Sequence, residues 1–254
     1  MKNLLPLRLL FLCLISLVFS FARLKPAPKN VKTPLLIDKT SIAKTVKPAD
    51  ESADNKLFIY DSLQLNSLGL SKQAFVEGIK GYKILLSQGK LNNDGIITIA
   101  DFSLPSTQKR LFVIDLENYK LLFNTFVAHG RNSGKEYANR FSNSPRSHMS
   151  SLGFYVTQDT YYGENGLSLR LEGEEKGIND NAESRAIVIH PAAYVSESTV
   201  KSLGYLGRSY GCPAIPQKVA APIIKTIKDG SCFFVYSDNK KYISRSPLLQ
   251  SLLK

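Results

Sequence analysis

The sequence predicts a mostly β domain, a β-rich α+β fold that starts with an N-terminal helical segment. Short runs of β-branched and aromatic residues recur between residues 96 and 236, separated by turn residues, as in a sheet of closely spaced strands. Helical periodicity is confined to a few short segments. The chain has 254 residues, 43% hydrophobic and 21% charged, which suits one globular domain with appendages and excludes a collagen or a coiled coil.

Each element has a local signal in the sequence. The first helix is capped by Ser71 and runs to about Ser87, with Gly89 as its stop and an apolar face made of Phe75, Ile79, Tyr82 and Leu86. We predict strands at 96–102, 111–116, 120–127, 153–157, 167–171, 186–190 and 231–236, and further helices at 194–203 and 216–228. The predicted domain covers residues 57–242, with a core at about 112–236 and a C-terminal tail at 243–254.

Residues 1–22 have the build of a secretory signal peptide. Lys2 and Arg8 precede an apolar run of eleven residues, and the small residues Ser20 and Ala22 fit cleavage after Ala22. The run is about half of the roughly 20 residues that a bilayer-spanning helix needs, so retention as an anchor is the weaker interpretation. The sequence therefore predicts export to the periplasm or cell envelope, with no stable membrane span after cleavage.

Residues 23–56 predict a linker, because they are rich in Lys, Pro, Ala and Thr and lack a sustained apolar period. The whole chain has a formal charge of +12, which falls to +10 when Lys2 and Arg8 are removed with the signal peptide. A basic balance favours an anionic partner. Because an exported chain does not meet the chromosome, we exclude nucleic acid and expect an anionic envelope polymer.

One constellation of residues can carry nucleophilic chemistry. The predicted strand 186–190 ends in His190, and Cys212 follows 22 residues later between Gly211 and Pro213, just ahead of a predicted helix. An imidazole and a helix N-terminus both favour thiolate over thiol, which makes the sulfur a nucleophile near neutral pH. His190 can accept the thiol proton and later return a proton to a leaving amine.

The backbone beside the cysteine is suited to a developing negative charge. Gly211 permits a tight or positive-φ turn next to the thiol. The successive amides of Tyr210, Gly211 and Cys212 can converge on an oxyanion. The sequence therefore predicts an acyl-transfer site at this turn.

The string Ser209-x-Gly211-Cys212 downstream of His190 resembles the signature of the murein L,D-transpeptidase catalytic-domain family, part of the YkuD-like superfamily of cysteine peptidoglycan transpeptidases. Further blocks of the chain are similar to the same branch, at 127–131, 141–143, 150–155, 179–180, 185–190 and 211–214. The resemblance covers about 112–236, half of the chain. It implies the YkuD-like L,D-transpeptidase catalytic fold.

The resemblance also implies a reaction. Cys212 attacks the bond between the third residue of a peptidoglycan stem and a terminal D-alanine, and an acceptor then resolves the thioester. A stem amine gives a 3–3 cross-link, water gives an L,D-carboxypeptidase or endopeptidase, and an amino-lipoprotein gives an attachment enzyme. Carbapenems are expected inhibitors, and no metal or organic cofactor is implied.

Two departures from the family pattern concern specificity. Tyr210 stands where familiar members have a histidine, and Ala214 stands where they carry Arg or Asn for substrate contact. Recognition of a substrate carboxylate must then come from elsewhere, with Arg208, Arg185 and Arg131 as candidates. We also expect Ser209, Arg208, His129 and Arg185 to support the site.

Several alternatives stay open at this point. Cys212 could pair with Cys232 as a disulfide in a non-catalytic, basic envelope-binding domain. The histidines His129, His148 and His190 could hold a zinc ion, although no close-spaced ligand pair exists. A structural role is the default for His129 and a solvated loop for His148. Residues 172–175 predict a solvated acidic turn, and residues 179–180 a turn.

Overall fold

The computed structural model describes residues 53–251, with side chains from Phe58 onward. The predicted signal peptide and most of the predicted linker lie outside the described residues. The helices are α1 (Ala53–Ser62), α2 (Lys72–Ser87), α3 (Glu197–Leu203), α4 (Gln217–Ile227), α5 (Lys240–Arg245) and α6 (Pro247–Gln250). The strands are β1 (Ile96–Asp101), β2 (Leu111–Asp115), β3 (Lys120–Thr125), β4 (Gly153–Gly163), β5 (Gly166–Gly173), β6 (Val188–Ala192), β7 (Ala214–Pro216) and β8 (Cys232–Tyr236).

The strands of the described part form one sheet in the order β3-β2-β1-β8-β4-β5-β6-β7. The pairs β1/β8 and β6/β7 are parallel and the other pairs are antiparallel. Ala128, just beyond the edge strand β3, forms a bridge with Ala214 of the other edge strand β7. The two edges of the sheet therefore meet, and the predicted β-rich α+β class is confirmed as a sheet-dominated, barrel-like fold.

Helix α2 packs on the sheet as its sequence predicts. Ser71 accepts a hydrogen bond from the Ala74 amide and caps the helix, and Gly89 beyond its end has a φ of +66°. A Cβ on Gly81 would lie 2.1 Å from the Phe154 ring, so the glycine lets the helix approach β4 closely. The predicted face is wrong at Leu86, which is 38% exposed, because Leu85 takes the inward position three residues after Tyr82.

The core lies between this helix, the sheet and α4. Phe154 of β4 and Phe234 of β8 stack with ring centroids 4.0 Å apart. Ile223, Ile224 and Ile227 of α4 are fully buried, as the predicted helix requires. These contacts hold the central strands rigidly, so the loops at the junction of the sheet edges rest on a fixed frame.

Several boundaries differ from the prediction. Strand β6 covers Val188–Ala192 rather than 186–190, so the expectation that His190 ends its strand is wrong. Helix α1 begins at Ala53, inside the predicted linker, and Ile59 and Tyr60 near its end are buried. Strand β4 continues to Gly163 and pairs with β5 beyond a bulge. Strand β7 was not predicted, because three residues carry no periodic signal. The predicted tail forms α5 and α6 instead, with Leu248 and Leu249 buried.

Glu175 ties this C-terminal segment to the sheet. Its carboxylate accepts hydrogen bonds from the Phe154 amide (2.8 Å), from the Tyr242 hydroxyl (3.1 Å) and from the Ser246 hydroxyl. Burial raises the pKa of this carboxyl, opposed by the three donors. The expected solvated turn at 172–175 is therefore wrong for Glu175, whereas Asn179 shapes the adjoining turn by accepting from the Glu175 amide at 2.9 Å.

We expect Glu175→Ala to lower the free energy of unfolding by about 3 kcal/mol, because three buried donors lose their acceptor. The matched control is Glu172→Ala, which removes an exposed carboxylate from the same segment and should change stability by less than about 0.5 kcal/mol. Urea denaturation of both variants measures the difference. Equal midpoints for the two variants would contradict the structural role.

Candidate active site

The loop that carries Cys212 is held between the two edges of the sheet. The Arg131 amide donates to the Ser209 carbonyl at 2.8 Å, and the Ser209 amide donates to the His129 carbonyl at 3.1 Å. Two residues after the cysteine, β7 begins at Ala214 and pairs with His190 of β6. The loop is thereby fixed at both ends. Cys212 lies just before β7, and the predicted base His190 lies on β6, the strand that pairs with β7.

Gly211 and Ser209 shape the turn before the cysteine. Gly211 has a φ of +130°, and a Cβ there would lie 2.8 Å from the Met149 carbonyl oxygen, so only glycine fits without strain. The Ser209 hydroxyl donates to the Cys212 carbonyl at 2.6 Å and accepts from the Gly211 amide at 3.1 Å. The signature residues Ser209 and Gly211 therefore support the position of Cys212 directly.

The Cys212 side chain is half-buried, and its thiol donates to the Ala186 carbonyl at 3.5 Å. Burial raises the pKa of the thiol, and the Val188 amide and the Arg185 charge oppose that rise. The predicted helix does not directly follow the cysteine, because β7 comes between Cys212 and α4 in the chain. Burial therefore disfavours the thiolate at this position, and a base that accepts the thiol proton is needed for nucleophilic chemistry.

His190, the predicted base, lies within β6 and pairs with Ala214, two residues after Cys212. Its Nδ1 shares a hydrogen bond of 3.1 Å with the Pro191 carbonyl, and a carbonyl can only accept, so Nδ1 carries the proton. The Nε2 lone pair is then available to take a proton. Burial lowers the pKa of His190, partly offset by the Pro191 carbonyl, so the imidazole is neutral at neutral pH.

The predicted oxyanion donors need one correction. The Gly211 amide is directed at the Ser209 hydroxyl, so it is already used within the turn. The amides of Tyr210 and Cys212 remain as the predicted donors on this loop. The cause is Ser209, whose hydroxyl accepts from the Gly211 amide within the turn.

Arg185 ties the loop 139–151 to the cysteine. Its guanidinium donates to the carbonyls of Ser142 (2.9 Å) and Met149 (2.7 Å) and to the hydroxyls of Ser147 and Ser151. Its charge also opposes the rise in the Cys212 pKa. Arg185, predicted to support the site, therefore uses these donors within the protein itself.

His129 lies behind the site rather than in it. Its Nδ1 is 2.7 Å from a terminal nitrogen of Arg110 and its Nε2 is 3.3 Å from the Gly134 carbonyl. Burial and the Arg110 charge lower its pKa to about 3. Both ring nitrogens are engaged with protein groups, so neither is free to ligate a zinc ion.

Arg208 and Tyr210 lie on the outer side of the same loop. Arg208 donates to the carbonyls of Arg131 (3.2 Å) and Gly134 (3.0 Å), which ties two loops together. Tyr210 is 67% exposed, and its ring packs against the half-buried His148, for which the sequence predicts a solvated loop position. The positive φ of His148, +54°, directs its loop back toward Tyr210.

Two further residues beside the site, Arg110 and Ala186, were not predicted from the sequence. Arg110 is fully buried and donates to the carbonyls of Val127 and Leu104, and burial lowers its pKa to about 9. Ala186 has a φ of +52°, which places its carbonyl against the Cys212 thiol. Neither has a sequence signal, because a lone arginine predicts exposure and alanine predicts no left-handed backbone.

Both described cysteines are free. Cys232 lies fully buried in β8, where it pairs with Ile97 and Val156 in the sheet. The disulfide alternative is therefore not the state of this structure.

Within residues 53–251, no helix has both the length and the apolar character needed to cross a bilayer.

The domain is thus a barrel-like, sheet-dominated fold with a thiol-bearing loop at the junction of its edges. The L,D-transpeptidase catalytic domain family matches residues 66–236, about two thirds of the chain. The chain belongs to this family, which confirms the resemblance drawn from the signature at Cys212. A search of curated proteins finds no match.

Solved structures similar to the chain are also L,D-transpeptidases. One from Mycobacterium smegmatis is 14% identical, with 56% of this chain and 59% of that chain covered and a TM-score of 0.35. L,D-transpeptidase 3 from Mycobacterium tuberculosis, in complex with a faropenem-derived adduct, is 11% identical (56% and 60% covered, TM-score 0.36). One from Stackebrandtia nassauensis is 12% identical (67% and 69% covered, TM-score 0.35). The chain spans about three fifths of the first two, and likenesses this distant carry no argument about function.

Proposed function

We propose that the chain is an exported peptidoglycan L,D-transpeptidase with Cys212 as nucleophile and His190 as general base. Family membership over residues 66–236 is the observation that carries the proposal. The local geometry supports it, because His190 pairs with Ala214, which follows the half-buried Cys212 by two residues. Export follows from the predicted signal peptide and from a substrate that lies outside the cytoplasm.

The first half-reaction is an acyl transfer to sulfur. In the proposed step the Cys212 thiol leaves the Ala186 carbonyl, to which it donates in the structure, and Nε2 of His190 takes its proton. The sulfur attacks the carbonyl of the third stem residue, and the amides of Tyr210 and Cys212 stabilise the oxyanion. The C–N bond then breaks, and D-alanine leaves with the proton returned by His190.

The second half-reaction restores the enzyme. The amine of another stem attacks the thioester carbonyl, and His190 accepts a proton from that amine. The new C–N bond forms, the C–S bond breaks, and the sulfur regains a proton as the thiol. No oxidant, metal or organic cofactor enters this sequence of steps.

Intact mass spectrometry tests the proposal. A carbapenem acylates a nucleophilic thiol by opening its strained ring, so the wild-type protein should gain the mass of one inhibitor. Cys212→Ser should gain none, and Cys232→Ala should react like the wild type. A wild-type protein that forms neither this adduct nor a stem thioester would overturn the proposal.

In the pH dependence of the first half-reaction, the acid limb should lie at a lower pH than an ordinary histidine would give. Acylation requires neutral His190, and burial lowers the His190 pKa below its ordinary value of 6.5. Activity should therefore persist to a pH below 6.5 and fall as the pH drops through the lowered pKa. The measurement is kcat/KM for D-alanine release across the acid range. An acid limb centred above the ordinary value would contradict a buried neutral base.

A further inference from the structure

Of the three arginines near Cys212 that could receive a substrate carboxylate, two are engaged within the protein. Arg185 donates to four oxygen atoms of the loop 139–151. Arg208 donates to two backbone carbonyls and lies over the Tyr205 ring, 5.2 Å from its centroid. Arg131 is exposed, and the described residues offer its guanidinium only one contact, the ring of Tyr210.

Arg131, His148 and Tyr210 form a cluster that we call the Tyr210 rim. The Arg131 guanidinium carbon lies 5.1 Å from the centroid of the Tyr210 ring, and the His148 ring centroid lies 4.6 Å from it. A guanidinium that rests its face on an aromatic ring keeps its edge N–H groups free for a bidentate carboxylate. The rim therefore presents unused donors two residues from the nucleophile.

Hydrogen bonds to backbone carbonyls hold the three parts of the rim together. The Asn132 amide donates to the His148 carbonyl at 3.0 Å, and the Asn132 side chain donates to the Ser147 carbonyl at 2.8 Å. The Arg131 amide donates to the Ser209 carbonyl at 2.8 Å. The rim is therefore built before a substrate arrives, which reduces the entropy lost on binding.

The local charge around the rim is positive. Between residues 127 and 151 the sequence has four basic residues and one acidic residue. That acid, Glu136, accepts from the Thr107 hydroxyl at 3.4 Å and is not paired with Arg131. No described carboxylate forms an ion pair with Arg131, so an anionic ligand meets no competing acid there.

We infer that the Tyr210 rim binds the terminal α-carboxylate of the donor stem peptide, with Arg131 as the residue that recognises it. The inference rests on the proposed function, because it takes Cys212 as the atom that attacks the donor. The terminal carboxylate lies one residue beyond the scissile carbonyl, and Tyr210 lies two residues before Cys212. Ala214 cannot supply this contact, because it is fully buried between His190 and Ala128.

The test compares a donor tetrapeptide with a free C-terminal carboxylate and the same peptide with a C-terminal amide. For the wild type, we expect KM to be about tenfold or more lower for the acid than for the amide, the range of a hydrogen bond to a charged group. Arg131→Gln should remove most of this preference by raising KM for the acid, with kcat little changed. Arg131→Lys should restore part of it.

Arg140→Gln is the matched control, because Arg140 is an exposed arginine of the same region that forms no described ion pair. It should keep the wild-type preference for the acid. Equal losses with the acid and the amide in Arg131→Gln, or the same change in Arg140→Gln, would overturn the assignment.

Peptide binding to the Cys212→Ala protein separates this inference from the proposed function. Calorimetry with the same two peptides should show tighter binding of the acid, and Arg131→Gln in that background should abolish the difference. This result supports the rim even if the wild type proves unable to turn the donor over. Equal affinity for the two peptides in a protein that does turn over the donor overturns the rim alone.

Discussion

Cys212→Ala should lower D-alanine release from stem tetrapeptides by at least about ten-thousandfold, because the variant has no atom that can hold the acyl group. The fold should survive, since the Cys212 side chain is only half-buried and Ser209 anchors the turn through backbone atoms. The measurement is kcat/KM for D-alanine release, together with 3–3 cross-link formation when an acceptor stem is present.

The control for this prediction is Cys232→Ala, which removes the other described cysteine. Cys232 is fully buried in β8 and its sulfur has no role in the reaction, so activity per folded molecule should be that of the wild type. Loss of activity in both variants would point to unfolding. Full activity in Cys212→Ala would exclude the cysteine mechanism.

The elements of the fold with a strong local signal could be predicted from the sequence. Helix α2 has a capping serine, an apolar stripe and a terminal glycine, and all three occur in the structure. Strand β7 could not be predicted, because its three residues are defined by pairing with β6 and Ala128 rather than by their own pattern. The terminal helices α5 and α6 depend on Glu175, a contact about seventy residues away in sequence.

The candidate site also contains residues that could be predicted from the sequence and residues that could not. The signature residues Ser209, Gly211 and Cys212 were recognisable, since backbone geometry and nucleophilic chemistry restrict the residue types there. The binding partner of each arginine could not be predicted, because a guanidinium can bind a substrate or a loop carbonyl with the same donors. Only the folded contacts show that Arg185 is engaged and that Arg131 is available.

His190→Gln should lower kcat/KM for D-alanine release by about a hundred- to ten-thousandfold, because the thiol loses the base that takes its proton. Glutamine keeps a polar side chain of similar size, so the parallel pairing of β6 with β7 should persist. Rates are measured against pH for the wild type and the variant. Alkylation of Cys212 by iodoacetamide is measured in parallel to follow the thiolate.

The shape of the pH profile distinguishes a base from a merely structural histidine. If His190 is the base, its lowered pKa sets the acid limb of the wild type, and the variant loses that limb along with the rate. Because burial raises the Cys212 pKa, the residual rate of the variant should instead rise with pH as thiolate forms without help. A variant that is slower but keeps the wild-type acid limb would show that another group removes the thiol proton.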